Sequence, residues 1–176
     1  IIKTLSGFKN KNIEIIICPT YMSLPYCFQI LSSFVKLGAQ NISHINEGYG
    51  SFTGEISAKM ISDYAEYVIL GHSERRNYLN EKNSDINKKS LFSIQNETVW
   101  AIGTGKNCDV DKVVEISNLT KSLFGKDTLF IYGGSVNKDN IKDYLSSNNI
   151  DGVLIGSASL DKNSIEEMLN IFNGNK

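Results

Sequence analysis

"SIQNETVWAIGTGK", residues 93–106, decides how many strands this chain forms. Its first half continues a helical pattern: Ile86, Ser90 and Ile94 fall in register, so Asp85–Ile94 reads as a helix. Its second half sets one carboxylate, Glu97, before Val99 and the only tryptophan, Trp100, and then Gly103, Thr104 and Gly105. Two readings compete: a catalytic carboxylate with a closing loop behind it, or a surface glutamate ahead of an ordinary turn. The element that delivers Glu97 is equally open. Phe92–Asn96 either forms a short strand or ends the helix, and the spacing predicts helix to about Ile94.

On either side, short apolar runs alternate with helical patterns and glycines. Ile13–Cys18 ("IEIIIC"), closed by Pro19, reads as a strand buried on both faces. Ser23 is placed to cap a helix with Leu24, Cys27, Phe28, Leu31 and Val35 on one side and Gly38 as its stop. A short strand is expected around Asn41–Ile45, which takes in His44 without giving it a catalytic role. The loop "NEGYGSFTGE", a helix near Ser57–Tyr64 and the strand Tyr67–Leu70, stopping at Gly71, come next. Beyond Gly105, Asp109–Leu123 reads as a helix closed by Gly125, Leu129–Tyr132 as a strand, and Asn137–Leu145 as a helix. Gly152–Ile155 is then a strand and Asn163–Phe172 the last helix. This rhythm is that of a parallel α/β fold. No linker or second composition regime interrupts it, so residues 1–176 read as one domain.

At 176 residues the chain is long enough for a real core, with 41% apolar and 21% charged residues. The net charge of −1 and its dispersed pattern exclude the electrostatic footprint of a nucleic-acid binder. No apolar run approaches the roughly 18 residues that cross a bilayer, and no secretory pattern opens the chain. Cys18, Cys27 and Cys108 are odd in number and far apart, which favours a reducing cytoplasm over a disulfide framework.

In parallel α/β folds, ligands bind beyond the carboxyl ends of the strands. One such end is "VILGHSERR", with His72, Glu74, Arg75 and Arg76. A histidine in a charged turn is usually just solvated. Its place at a strand end, in a chain with two histidines, turns the reading toward function. "YGGSV" and "LIGSASL" end two later strands, and their glycines and successive N–H groups suit a phosphate. The loop "GYGSFTGE" reads equally as another such site and as a flexible surface loop. Glu97 fits as a general base opposite His72, since exclusion of water raises a carboxylate's proton affinity. Base, electrophile, phosphate grip and lid together predict proton abstraction beside a carbonyl of a small phosphorylated substrate. That chemistry needs no organic cofactor, and no metal-ligand constellation is visible.

"VILGHSERR", "VWAIGTGK", "YGGSV" and "LIGSASL", in this order, resemble triosephosphate isomerase, and "LGAQN" and "GSFTGEIS" match it as well. The resemblance runs from about Ile13 to the C-terminus. It implies a TIM (β/α)8-type barrel and the interconversion of dihydroxyacetone phosphate and glyceraldehyde 3-phosphate through an enediolate, without cofactor or metal. The substrate is then a small phosphorylated triose. It implies that His72 is the electrophile and Glu97 the base, the family's known roles. It implies a hinged lid formed by Trp100, Ala101, Ile102, Gly103, Thr104, Gly105 and Lys106, with Gly103 offering an N–H to the phosphate. Ser135, Gly156 and Ser157 occupy the other phosphate-binding positions, and Glu74 resembles a supporting carboxylate. Thr53 lies in the loop that inserts into the neighbouring subunit of the family's homodimer, and Arg75 resembles a residue meeting that loop.

The chain departs from the pattern in two small ways and two large ones. Glu97-Thr98 stands where the family usually has Glu-Pro, and Gly156-Ser157 where it has two glycines. A complete barrel takes typically about 250 residues, and at least about 200, so an incomplete one of about five or six β/α units is expected. Lys9 is followed almost at once by the strand at Ile13, so residues 1–10 read as the tail of the first helix and not as the family's first strand with its substrate-binding Asn and Lys. Between Ser73 and Glu97, about two dozen residues stand where the family has its fifth strand, two helices and the sixth strand. Two outcomes follow: an isomerase of strongly reduced turnover, or an inactive α/β remnant that binds phosphate or self-associates.

Overall fold

The computed structural model describes residues 2–8, 12–45, 48–50, 52–96, 99–102 and 109–174. Close packing divides the chain into two compact units, one holding Thr4–Ile102 and the other Gly103–Lys176. The first unit opens with helix α1 (Ile2–Ser6), in line with the helical reading of residues 1–10. It continues through β1 (Ile16–Ile17), α2 (Leu24–Leu31), β2 (Lys36–Ala39), α3 (Ala58–Ser62) and β3 (Tyr67–Leu70). It ends with α4 (Ser73–Tyr78), α5 (Asn83–Gln95) and β4 (Val99–Ile102). Its strands form one sheet in the order β1-β2-β3-β4, every pair parallel.

Gly38, expected to stop a helix, lies inside β2. The helix has already ended at Ser32, whose N–H reaches the Phe28 carbonyl. The reason is spatial: a Cβ on Gly38 would stand 2.6 Å from the Cys18 sulfur and 3.3 Å from the Cβ of Tyr67. Glycine here lets three strands approach one another. The strand expected at Asn41–Ile45 therefore falls earlier, at Lys36–Ala39, and His44 lies in the loop beyond it.

α5 runs to Gln95, as its spacing predicts, and Asn96 caps it. The chain then enters β4, whose Val99, Trp100, Ala101 and Ile102 pair with Tyr67, Val68, Ile69 and Leu70 in register. Trp100, Ala101 and Ile102, expected to open the lid, form a sheet strand here. An apolar quartet directly after a helix, beside a free strand edge, satisfies its backbone by completing a β–α–β crossover. The core of this unit includes Leu24, Leu31, Leu37, Ile42, Ile61, Val68, Leu70 and Ile86.

The second unit holds α6 (Val110–Phe124), β5 (Ile131–Tyr132), α7 (Ile141–Leu145), β6 (Gly152–Val153), a 3-10 turn (Ser157–Leu160) and α8 (Lys162–Gly174). β5 and β6 are parallel. Asp109 caps α6 by accepting from the Asp111 N–H, and Gly125 ends it at φ 108°. Its core gathers Val113, Tyr132, Val136, Ile141, Tyr144, Ile150 and Met168, with the Tyr132 and Tyr144 rings stacked at 4.4 Å. Six parallel strands are thus present among the described residues, and none of the described helices is long and apolar enough to cross a membrane.

Candidate functional site

The carboxyl end of β3 presents His72. Gly71 makes the turn at φ 65°, where a side chain would meet Ile86 Cδ1 at 2.8 Å, and Arg76 Nε holds its carbonyl at 3.0 Å. His72 is the N-cap of α4, and its Nδ1 accepts from the Glu74 N–H at 3.4 Å. A ring nitrogen that accepts a backbone N–H leaves Nε2 as the donor of the ring. His72 is thereby set to donate from Nε2. The Glu74 carboxylate lies 3.7 Å from Nδ1 and is largely solvated.

A buried polar network braces the same rim. Glu81, with its side chain 4% exposed, accepts from Arg75 Nε at 2.9 Å and from the Nζ of Lys89, itself 1% exposed. Lys89 also donates to Asn41 Oδ1 at 2.7 Å, and the Tyr21 hydroxyl donates to the Asn41 carbonyl at 2.5 Å. Burial pushes the Tyr21 hydroxyl up to about 12. Burial also works to raise the Glu81 pKa, but hydrogen bonds from Lys89 and Arg75 outweigh it and hold the carboxyl below its usual range. Tyr21, Asn41 and Arg75 follow β1, β2 and β3 respectively, so the network ties three strand ends together. Sequence reasoning assigned Arg75 to a subunit contact and missed Glu81 and Lys89. The available signal was register: Lys89 falls with Ile86 and Ser93 on the buried face of α5.

Thr53 is exposed, beside Gly54 at φ 87°, in a loop that also exposes Tyr49 and Phe52. In the second unit, Ser135 is exposed after β5 and its carbonyl accepts from Asn140 Nδ2 at 3.0 Å. Gly156 and Ser157 are exposed after β6, and the Gly156 carbonyl accepts from both the N–H and the hydroxyl of Ser159. Because β5 and β6 are parallel neighbours, both loops leave the same end of one sheet.

Glu97, Gly103, Thr104, Gly105 and Lys106 lie outside the described residues. Their described neighbours carry a message nonetheless. Val99 pairs with Tyr67, the first residue of β3, whereas His72 follows the last. Gln95 and Asn96 line one groove with Ala65 and Glu66, which precede β3. The two described residues that flank the 97–98 pair therefore sit at the amino end of the sheet, opposite His72.

The family model described as triosephosphate isomerase matches residues 1–98 and 90–172. A triosephosphate isomerase of Mesomycoplasma hyopneumoniae (strain 232) is 33% identical over 208 residues, covering 93% of this chain and 85% of the relative. One of Dictyoglomus thermophilum is 36% identical over 220 residues, covering 93% and 87%. The solved triosephosphate isomerase of Bartonella henselae matches with a TM-score of 0.86 at 24% identity, over 98% of this chain and 91% of that one, a likeness of fold. An alignment of 208 positions exceeds a chain of 176 residues, so the relative has positions without a counterpart here. The two matched segments meet at residues 90–98, where α5 runs into β4.

Proposed function

The chain belongs to the triosephosphate isomerase family, and we propose that it carries that family's proton-transfer chemistry in His72 and Glu97 at a strongly reduced rate. The reaction is the interconversion of dihydroxyacetone phosphate and glyceraldehyde 3-phosphate, and the substrate a triose phosphate. Glu97 takes the proton beside the carbonyl, and His72, donating from Nε2, stabilises the enediolate oxygen. Ser135, Gly156, Ser157 and Gly103 hold the phosphate through backbone N–H groups, and Glu74 steadies the histidine. Gly103, Thr104, Gly105 and Lys106 remain for the lid. The chain works in the cytoplasm, as a homodimer joined through the loop around Thr53, where Tyr49 and Phe52 are exposed.

One observation carries the reduced rate: the register of β4 against β3 puts the flanks of Glu97 and the His72 turn at opposite ends of the sheet. Misplacing one reacting group costs on the order of a hundredfold or more. A coupled assay on the purified chain, with Glu97→Gln and His72→Gln as controls, tests this. The expected result is turnover at least about a hundredfold below that of the relatives, abolished by Glu97→Gln. A rate equal to the relatives' overturns the impairment. A rate no higher than that of Glu97→Gln overturns catalysis.

A further inference from the structure

α6 has two apolar faces. Val113 and Ser117 are buried, and Val110 and Val114 pack on the core. Ile116, Leu119 and Leu123 are 45%, 58% and 69% exposed. At 3.6 residues per turn this second stripe lies roughly 140° around the helix from the first. A helix with two such faces is built to pack against a neighbour as well as its own sheet. In the same unit, Leu129 and Ile131 are 75% and 37% exposed at one edge of the β5–β6 pair. In the other unit, α5 also leaves Leu91 and Ile94 exposed. Leu91 and Ile94 lie where the two family-model matches meet, residues 90–98.

We propose that a second copy of this chain covers the α6 stripe, in a two-fold contact that pairs two α6 helices antiparallel about Leu119. Charge favours this occupant. Apart from Lys112, the start of the helix is acidic (Asp109, Asp111, Glu115), while its end carries Lys121, paired with Asp151 at 2.7 Å, and Lys126. Antiparallel pairing sets the acidic end of each helix beside the basic end of the other and opposes their dipoles. A two-fold contact buries the same leucines twice. A net charge of −1 gives two copies little to repel them. This contact is separate from the loop around Thr53, so a chain that uses both forms assemblies larger than a dimer.

Sedimentation of the full chain tests the contact in two backgrounds, the native sequence and Phe52→Glu, which disables the loop. Leu119→Glu lies at an exposed position and leaves the fold intact. The expected result is that Phe52→Glu still self-associates and that adding Leu119→Glu weakens the residual dimer by at least about tenfold. Leu160→Glu, at a leucine 83% exposed elsewhere, changes nothing. The proposal is overturned if Phe52→Glu alone is monomeric at about 100 µM, well above the micromolar affinities of ordinary interfaces, if Leu119→Glu leaves association unchanged, or if Leu160→Glu acts equally. None of these readouts depends on catalysis.

Discussion

Lys89 carries its ammonium into a place that water does not reach. Desolvation draws its pKa down, while Glu81 pulls the other way and Asn41 accepts a further bond. Removing one partner of a buried pair costs about 3–5 kcal/mol. Arg75 still faces Glu81 in Lys89→Met, so the loss expected in urea unfolding is near the lower end, about 3 kcal/mol. The pH dependence has a definite sign. The folded carboxyl of Glu81 is held below its unfolded value, so its contribution is present above about 4.3 and is lost as pH falls through the folded value. In Lys89→Met that acid-side slope flattens. A slope equal to the native protein's would place the acid-sensitive group elsewhere. Nothing in the pair Lys88-Lys89 announces burial. Residue type misleads there, and only the phase of the helix points inward.

At the scale of elements, β2 shows why a glycine cannot be read alone. Gly38 looked like a helix stop because the preceding apolar spacing runs to Val35. Its role is set by Cys18 and Tyr67, about twenty and thirty positions away in sequence. Gly38→Ala is expected to cost about 1–3 kcal/mol by overpacking, and Cys18→Ala to recover most of that loss in the double variant. Equal destabilisation of the single and double variants in thermal melts would show that the tight contact is not the cause. By contrast, Tyr67–Leu70 was fully legible, because an apolar quartet ending in Gly-His has few other readings. α4 was missed: "SERRNY" has no apolar stripe, and the helix is held instead by the His72 cap and the Arg75–Glu81 bond. β4 was missed because the same four letters suit a lid or a strand, and the partner decides.

At the scale of the whole molecule, the family and its strand-end motifs could be read from sequence, since those motifs are local. Which strand neighbours which could not, because that depends on chain the relatives possess and this one does not. Inserting additional chain between Gln95 and Glu97, where the two family-model matches meet, is expected to free residues 99–102 from the sheet. Turnover should then rise by about a hundredfold or more, the scale of a restored geometry. Coupled assays and hydrogen exchange at Val99–Ile102 report the two effects together. Unchanged rate with lost protection at 99–102 would locate the defect away from β4.

The pairing of β4 with β3 has a consequence for how such chains evolve. A barrel is periodic, each strand and helix standing in for the next, so loss of whole periods can be repaired by whatever apolar segment arrives at the open edge. An active site has no period: its groups come from different repeats and each is singular. A chain with fewer positions than its relatives can therefore keep the architecture, here a TM-score of 0.86, while its chemistry still hangs on singular groups. In gene families built from repeats, resemblance of shape is the more durable inheritance.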